Sequence, residues 1–290
     1  MINQTIKTQI VEAIVKQRPF FPSAAKQATS LGISSSQMSR IINGDIDNVI
    51  SDANWISIAR KLEVQIGKTE KWQTARTATY EYVNSQLAGC QEFAISGILC
   101  DQADIGKTHA AKIYCKTHKN AIYLDCSQTK SKQKLVRALA KEFGVDSNGK
   151  YKEVYDDLVF YIRSIETPLV VLDEVGDLEY SAFLELKALW NATERACGWY
   201  MMGADGLKSK ITNNVERRKV GYAEIFSRFG GRYQRITPEG REDMEHFKKE
   251  QMMMIAHVNN SQIEPQEMYA KTQGSPRRVF IELQKIRRVG

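Results

Sequence analysis

Two stretches carry residue types whose order and spacing could do phosphate chemistry. The first is Asp101-Gln102-Ala103-Asp104-Ile105-Gly106-Lys107-Thr108-His109, reached through the apolar run that begins at Phe93 and continued by Ala110-Ala111. A buried strand, a turn, Gly-Lys-Thr and a small-residue helix start follow one another in the order of a phosphate-binding loop. In such a loop backbone N–H groups face the phosphates, a lysine reaches the β and γ oxygens, and a threonine hydroxyl completes a magnesium shell. Those roles fall to the Asp101–His109 backbone, Lys107 and Thr108. The second stretch is Pro168-Leu169-Val170-Val171-Leu172-Asp173-Glu174. Four apolar residues running into two acids read as a central parallel strand that delivers carboxylates at its C-terminal edge, where open α/β sheets bind ligands. Asp173 would hold magnesium through water and Glu174 would polarise the attacking water.

The loop departs from its pattern at Asp101, where glycine is expected, and at Asp104, where glycine is common. A Cβ-free residue lets the backbone wrap closely around phosphates, although Asp tolerates φ > 0 better than most substitutes. A carboxylate at Asp101 that pointed inward would repel a polyphosphate. The expectation is therefore weak ATP binding with slow turnover, and the alternative is a nucleotide site that survives only as fold.

An alternating strand–helix pattern must position these groups. Ala75 to Leu87 has helical composition and ends near Gly89, and a helix after the loop runs to about His118. Ala121 to Cys126 reads as a second strand, while Ser131 to Phe143, with Leu135, Leu139 and Phe143 on one face, is an amphipathic helix. Val154 to Ile165 and Ala182 to Cys197 are further helices. The run Gly198 to Asp205 is a core strand with Asp205 at its tip. Asp205 orients the lytic water, senses the γ-phosphate, or simply caps the helix that follows Gly206. In Ile225 to Ile236, Arg228 and its neighbours stand among aromatics and glycines. Arg228 is either a transition-state charge supplied to a neighbouring subunit or part of a solvated basic loop.

Ahead of this core, Ser23 to Thr29 and Ser34 to Asn43 form two helical patterns about Gly32, a residue suited to a tight φ > 0 turn. Ser34 or Ser35 is the N-cap, Asn43-Gly44 the C-cap, and Met38, Ile41 and Ile42 share the inner face. Ser35, Ser36, Gln37, Ser39 and Arg40 are left outside, able to meet base edges and phosphates. Trp55 to Leu62 closes a small core. The segment resembles the helix-turn-helix of phage repressors, which implies DNA contact, though helical modules of this kind also bind proteins. Gln65 to Thr74 is the expected linker, and its Gly67-Lys68-Thr69 lacks a preceding strand.

Beyond the core, Thr237-Pro238-Glu239 reads as a helix start, with Met244, Phe247, Met252 and Ile255 forming an apolar face. A last helix from Pro276 turns Val279, Ile281, Leu283 and Ile286 inward. Lys285, Arg287 and Arg288 form a basic end that touches DNA phosphate or is simply solvated.

Lys107-Thr108, Asp173-Glu174, the Asp205 strand, Ser227-Arg228-Phe229 and Gly274-Ser275-Pro276-Arg277 occur in the order of an AAA+ ATPase. The arrangement is most similar to the transposition regulators MuB, TnsC and IstB, and MuB shares the N-terminal helix-turn-helix. The resemblance implies an α/β P-loop AAA+ parallel sheet with helices on both faces, a small all-α N-terminal domain and a C-terminal helical lid, divided as 1–70, 75–236 and 237–290. It implies ATP and magnesium as cofactors and Arg277 (or the adjacent Arg278) as the lid arginine that senses the γ-phosphate. Its implied partners are double-stranded DNA, further copies of the chain on that DNA, and a transposase. A replicative helicase loader shares the same ATPase signatures, and a helix-turn-helix regulator with an inert ATPase fold would also carry them.

Composition narrows the class. The 290 residues carry a formal charge of +7, which suits a polyanion partner. No apolar run approaches membrane-spanning length and the N-terminus lacks a signal-peptide pattern, so no membrane partner is expected. The five scattered cysteines read as reduced thiols of a cytoplasmic protein, and neither they nor the four histidines suggest a metal site of their own.

Overall fold

A computed structural model describes residue 2 and residues 4–64 and 72–289, with the backbone alone for 286–289. Most of the expected linker, residues 65–71 with Gly67-Lys68-Thr69, lies outside the described residues, as do the side chains of Ile286, Arg287 and Arg288.

The first four helices, α1 (Gln4–Gln17), α2 (Ala24–Leu31), α3 (Ser35–Ile42) and α4 (Asp52–Lys61), close on their own cluster of Ile10, Ile14, Met38, Ile41, Trp55, Ile58 and Leu62. Gly32 ends α2 in the left-handed region, with φ 80°. Ser34 then starts α3, its hydroxyl accepting the Gln37 N–H while the Gln37 side chain accepts the Ser34 N–H at 2.9 Å. Ile42, expected inside, is 39% exposed because the buried face of this short helix centres on Met38 and Ile41.

The chain then builds a parallel sheet of β1 (Ser96–Cys100), β2 (Ala121–Asp125), β3 (Leu169–Asp173) and β4 (Gly198–Gly203), in the order β1-β4-β3-β2. Its strands are apolar on both faces, as a sheet covered from two sides requires. One face packs α5 (Ala78–Phe93) and α6 (Lys107–Thr117) through residues such as Val83, Leu87, Ala111 and Tyr114. The other packs α7 (Lys132–Glu142), α8 (Tyr151–Ser164), α9 (Tyr180–Ala192), α10 (Asp205–Glu216) and α11 (Tyr222–Arg228). Helix α5 passes through Gly89, which keeps a helical backbone, and stops only at Ala94, φ 48°. Helix α9 ends earlier than its pattern suggests, since Thr193 turns back and its hydroxyl takes the Trp199 indole N–H at 3.1 Å. Past α11, Gln234 pairs alongside β1 by a single bridge, accepting the Cys100 N–H and donating to the Ile98 carbonyl. The five cysteines are free, and all but Cys115 are buried.

Three C-terminal helices follow, α12 (Arg241–Val258), α13 (Pro265–Thr272) and α14 (Pro276–Val289), around Met252, Ile255, Met268, Val279 and Leu283. Helix α12 begins after Gly240 rather than at Thr237. Thr237 is held elsewhere: its N–H and its hydroxyl donate to Asp101, and its hydroxyl oxygen accepts from Arg235 Nε. Ile281, expected inside, is 50% exposed. No helix among the described residues is long and apolar enough to cross a membrane.

Candidate active site

The parallel register sets the site. Asp125 pairs with Asp173 and Cys100 with Gly203, so β1, β3 and β4 end together and the loops that leave them share one edge. The loop after β1 turns through Asp104, φ 60°, and Gly106, φ 99°, before α6 starts at Lys107. An added Cβ on Gly106 would touch nothing closer than 4.0 Å, so glycine is needed there for its backbone angles and not for space. A cleft of about 500 Å³ opens over this edge, lined by the loop from Ala103 to His109, by Asp173 and Glu174, and by Arg277.

Inside it the Thr108 hydroxyl donates to Asp173 Oδ2 at 2.6 Å. Lys107 is buried, its ammonium donating to the carbonyls of Asp101 (2.7 Å) and Gln102 (2.5 Å). Burial lowers its pKa, opposed by the charges of Asp101, Asp173 and Glu174. Glu174 leaves the strand in the left-handed region, φ 51°. Burial first, then the neighbouring Asp173 and Asp177, raise its pKa, which moves it toward the range useful to a proton acceptor. His109 shares a hydrogen bond of 3.0 Å with Thr74, and burial lowers its pKa. Trp72 and Phe280, edge to face at 5.0 Å, wall the apolar end with Ala75, Ile255 and Ile281.

Such a site can take an anion at the α6 N-terminus, where unpaired N–H groups and the helix dipole favour negative charge. Its oxygen donors are also those a hard divalent cation prefers. No group of three or more His, Cys, Asp or Glu among the described residues is placed to hold a metal. Magnesium is commonly held by one or two protein oxygens and by substrate phosphates, and Thr108 and Asp173 bring two such oxygen donors together.

Comparison with known proteins agrees with this geometry. Residues 94–211 match the family model of the AAA domain. The chain has the AAA+ P-loop fold. No curated protein matches the sequence. Among solved structures, the Aeropyrum pernix ORC1 protein in complex with DNA is similar, with a TM-score of 0.47 and 16% identity, over 65% of this chain. This chain spans half, 50%, of that one, and a likeness so distant carries no argument about activity or partners.

Not every residue singled out from the sequence faces the cleft. Asp101 is 1% exposed and Gln102 lies beside it; neither lines the cleft. The Asp101 carboxylate points away from the loop's concave side. It accepts the N–H of Gln102 (2.7 Å), Ile236 (2.6 Å) and Thr237 (2.8 Å) and the Thr237 hydroxyl (2.5 Å). The repulsion expected of an inward carboxylate is therefore absent, and the left-handed angle falls on Asp104 instead. Asp205 opens α10, and the cleft wall at that point is its neighbour Ala204. Arg228 ends α11, donates to Asn191 at 2.7 Å, lies 5.4 Å from the Trp190 ring, and does not line the cleft of its own chain. Arg278 is likewise outside it, its N–H bonded to the Ser275 hydroxyl. On α3, Ser35, Ser36, Ser39 and Arg40 are exposed. Gln37 is committed to the cap and to the Val49 carbonyl, and Arg40 pairs with Asp45 at 2.7 Å.

Some contacts at the cleft had no place in the sequence reading. The Tyr123 hydroxyl donates to Asp173 Oδ2 at 2.9 Å, so one carboxylate oxygen serves both Thr108 and Tyr123. Side chains two apart share a strand face, so a β2 polar residue two before Asp125 was the available signal. Asp104 reaches Ser275 and Arg277, and Trp72 meets Phe280, across separations that no local pattern reveals.

Proposed function

We propose that the chain is a magnesium-dependent ATPase that binds double-stranded DNA and changes its grip on DNA with nucleotide state. The observation that supports this reading best is the meeting of Thr108 and Asp173 at 2.6 Å beside Lys107 and Glu174. In this mechanism the loop N–H groups from Ala103 to His109 cradle the phosphates and Lys107 leaves its two carbonyls for the β and γ oxygens. Glu174 accepts a proton as water attacks the γ-phosphorus, and the bond to the β–γ bridging oxygen breaks. Magnesium, held by Thr108 and by Asp173 through water, would neutralise charge on the phosphates. Tyr123 holds the Asp173 carboxylate in place. Arg277 reads the γ-phosphate, Asp205 orients from the adjacent helix start, and Arg228 of a neighbouring copy supplies positive charge in the transition state.

Ser35, Ser36, Ser39 and Arg40 are the proposed DNA contacts. With Gln37 already engaged and Arg40 shared with Asp45, they suit phosphate contact more than a base code. Following the resemblance to MuB, TnsC and IstB, the finer proposal is assembly of several copies on DNA and recruitment of a transposase, in the three-part organisation given above. The decisive experiment is electron microscopy of the full chain with long duplex DNA, with and without ATP and magnesium. ATP-dependent coating without sequence preference is expected, and it should vanish in Lys107→Ala. Copurification with a helicase would point to a loader, and nucleotide-independent binding to a single operator would leave the ATPase fold idle.

A further inference from the structure

Asp104 stands in the phosphate loop with φ 60°, a backbone angle that favours glycine, and its side chain turns to the lid. Its Oδ2 accepts the Ser275 hydroxyl, and its Oδ1 lies 3.4 Å from the Arg277 N–H and 3.7 Å from Arg277 Nε. Those donors form the start of α14, where the dipole favours an anion. The Arg277 side chain is 83% exposed. A carboxylate of the loop thus occupies the lid groups that a terminal phosphate would need.

We propose that Asp104 is a specificity-determining residue, an internal anion that competes with the γ-phosphate for Arg277 and so sets how sharply the chain distinguishes ATP from ADP. The inference rests on the ATPase reading above. An exposed ion pair of this kind shifts an equilibrium by about twofold to fivefold. A γ-phosphate carries more charge and can draw Arg277 away, but its net gain is reduced by the contact it must break. ADP has no group to compete, so its affinity is indifferent to whether Arg277 rests on Asp104.

The test is a double-mutant cycle on the full chain, using fluorescent ATP and ADP analogues with magnesium. Asp104→Asn keeps the side-chain shape and the tolerance for φ > 0 while removing the charge. It should tighten ATP by about twofold to fivefold and leave ADP within experimental error. In an Arg277→Ala background the same substitution should change neither. A gain that persists without Arg277, or one that ADP shares, means that Asp104 merely repels phosphates, and the inference fails. An unchanged ATP affinity in the single variant overturns it as well. Should the wild type bind neither nucleotide, with Lys107→Ala indistinguishable from it, the ATPase reading falls and takes this inference with it. Melting curves of each variant exclude loss of fold as the cause.

Discussion

Replacing Asp101 with glycine would restore the residue that the phosphate-loop pattern expects, yet it should weaken the protein. The wild-type carboxylate is 1% exposed and accepts four hydrogen bonds, three of them from Ile236 and Thr237. Arg235 Nε lies 4.0 Å away. Hydrogen bonds to a charged group contribute about 1.5–3 kcal/mol each when measured singly. Their sum overstates the loss, because the carboxylate's own desolvation, several kcal/mol, is relieved in the variant. A buried donor left unsatisfied costs about 1–3 kcal/mol, so with the Ile236 and Thr237 donors orphaned together the expected loss here is ~3–5 kcal/mol. At ~2–4 °C per kcal/mol for a chain of this size, the melting temperature should fall by roughly 6–20 °C. Thermal unfolding gives the size of the effect, and hydrogen exchange locates it, since the Ile236 and Thr237 amides should lose protection first. Asp101→Asn, which keeps the volume, should recover part of the loss. A glycine variant as stable as the wild type, with both amides still protected, would refute the argument. Nucleotide affinity offers a second check, because a carboxylate facing away from the phosphates leaves no repulsion to relieve, and no tightening is expected.

Glu174→Gln should retain nucleotide and lose turnover by about 10²–10⁴-fold, the range of general-base catalysis, in a phosphate-release assay. In the proposed mechanism Glu174 must be ionised to accept a proton, and its pKa is raised, so wild-type turnover should decline on acidification at a pH above the ordinary carboxylate range. Arg40→Ala should weaken duplex binding equally across sequences and reduce the slope of log affinity against log salt by about one, read by anisotropy titrations. Burial lowers the Lys61 pKa from 10.5 to about 8. Between those values the unfolded chain keeps a proton that the folded chain has lost, so stability should rise with pH across that window. Lys61→Met should abolish this rise in melting experiments on either side of pH 8.

Much of the architecture was legible in local pattern. Leu169 to Leu172 is a buried strand because four successive apolar residues can be satisfied only where a sheet is covered on both faces. Gly106-Lys107-Thr108 announces a turn into a helix because glycine alone takes φ 99° without strain. Helix ends were less legible. Gly89 looked like a stop and is an ordinary helical residue, and Thr237 looked like a cap while its donors go to a partner 136 residues away in sequence.

What the sequence by itself determined is the chemical inventory and its order: a loop with Lys107 and Thr108, a strand ending in Asp173 and Glu174, and the two acids, Asp101 and Asp104, in place of glycines. Tertiary structure alone decided what those acids do. A side-chain direction depends on which donors the fold brings near, and here these come from Ile236, Thr237, Ser275 and Arg277, all remote in sequence. Asp101 therefore faces the segment after Gln234 and Asp104 faces α14, while Tyr123 reaches Asp173 only because β2 and β3 lie side by side. Motif spacing encodes the backbone path over a few residues. The partner of a buried charge is selected by contacts made across the whole chain, because an unpaired charge in the interior is too costly to leave unmet.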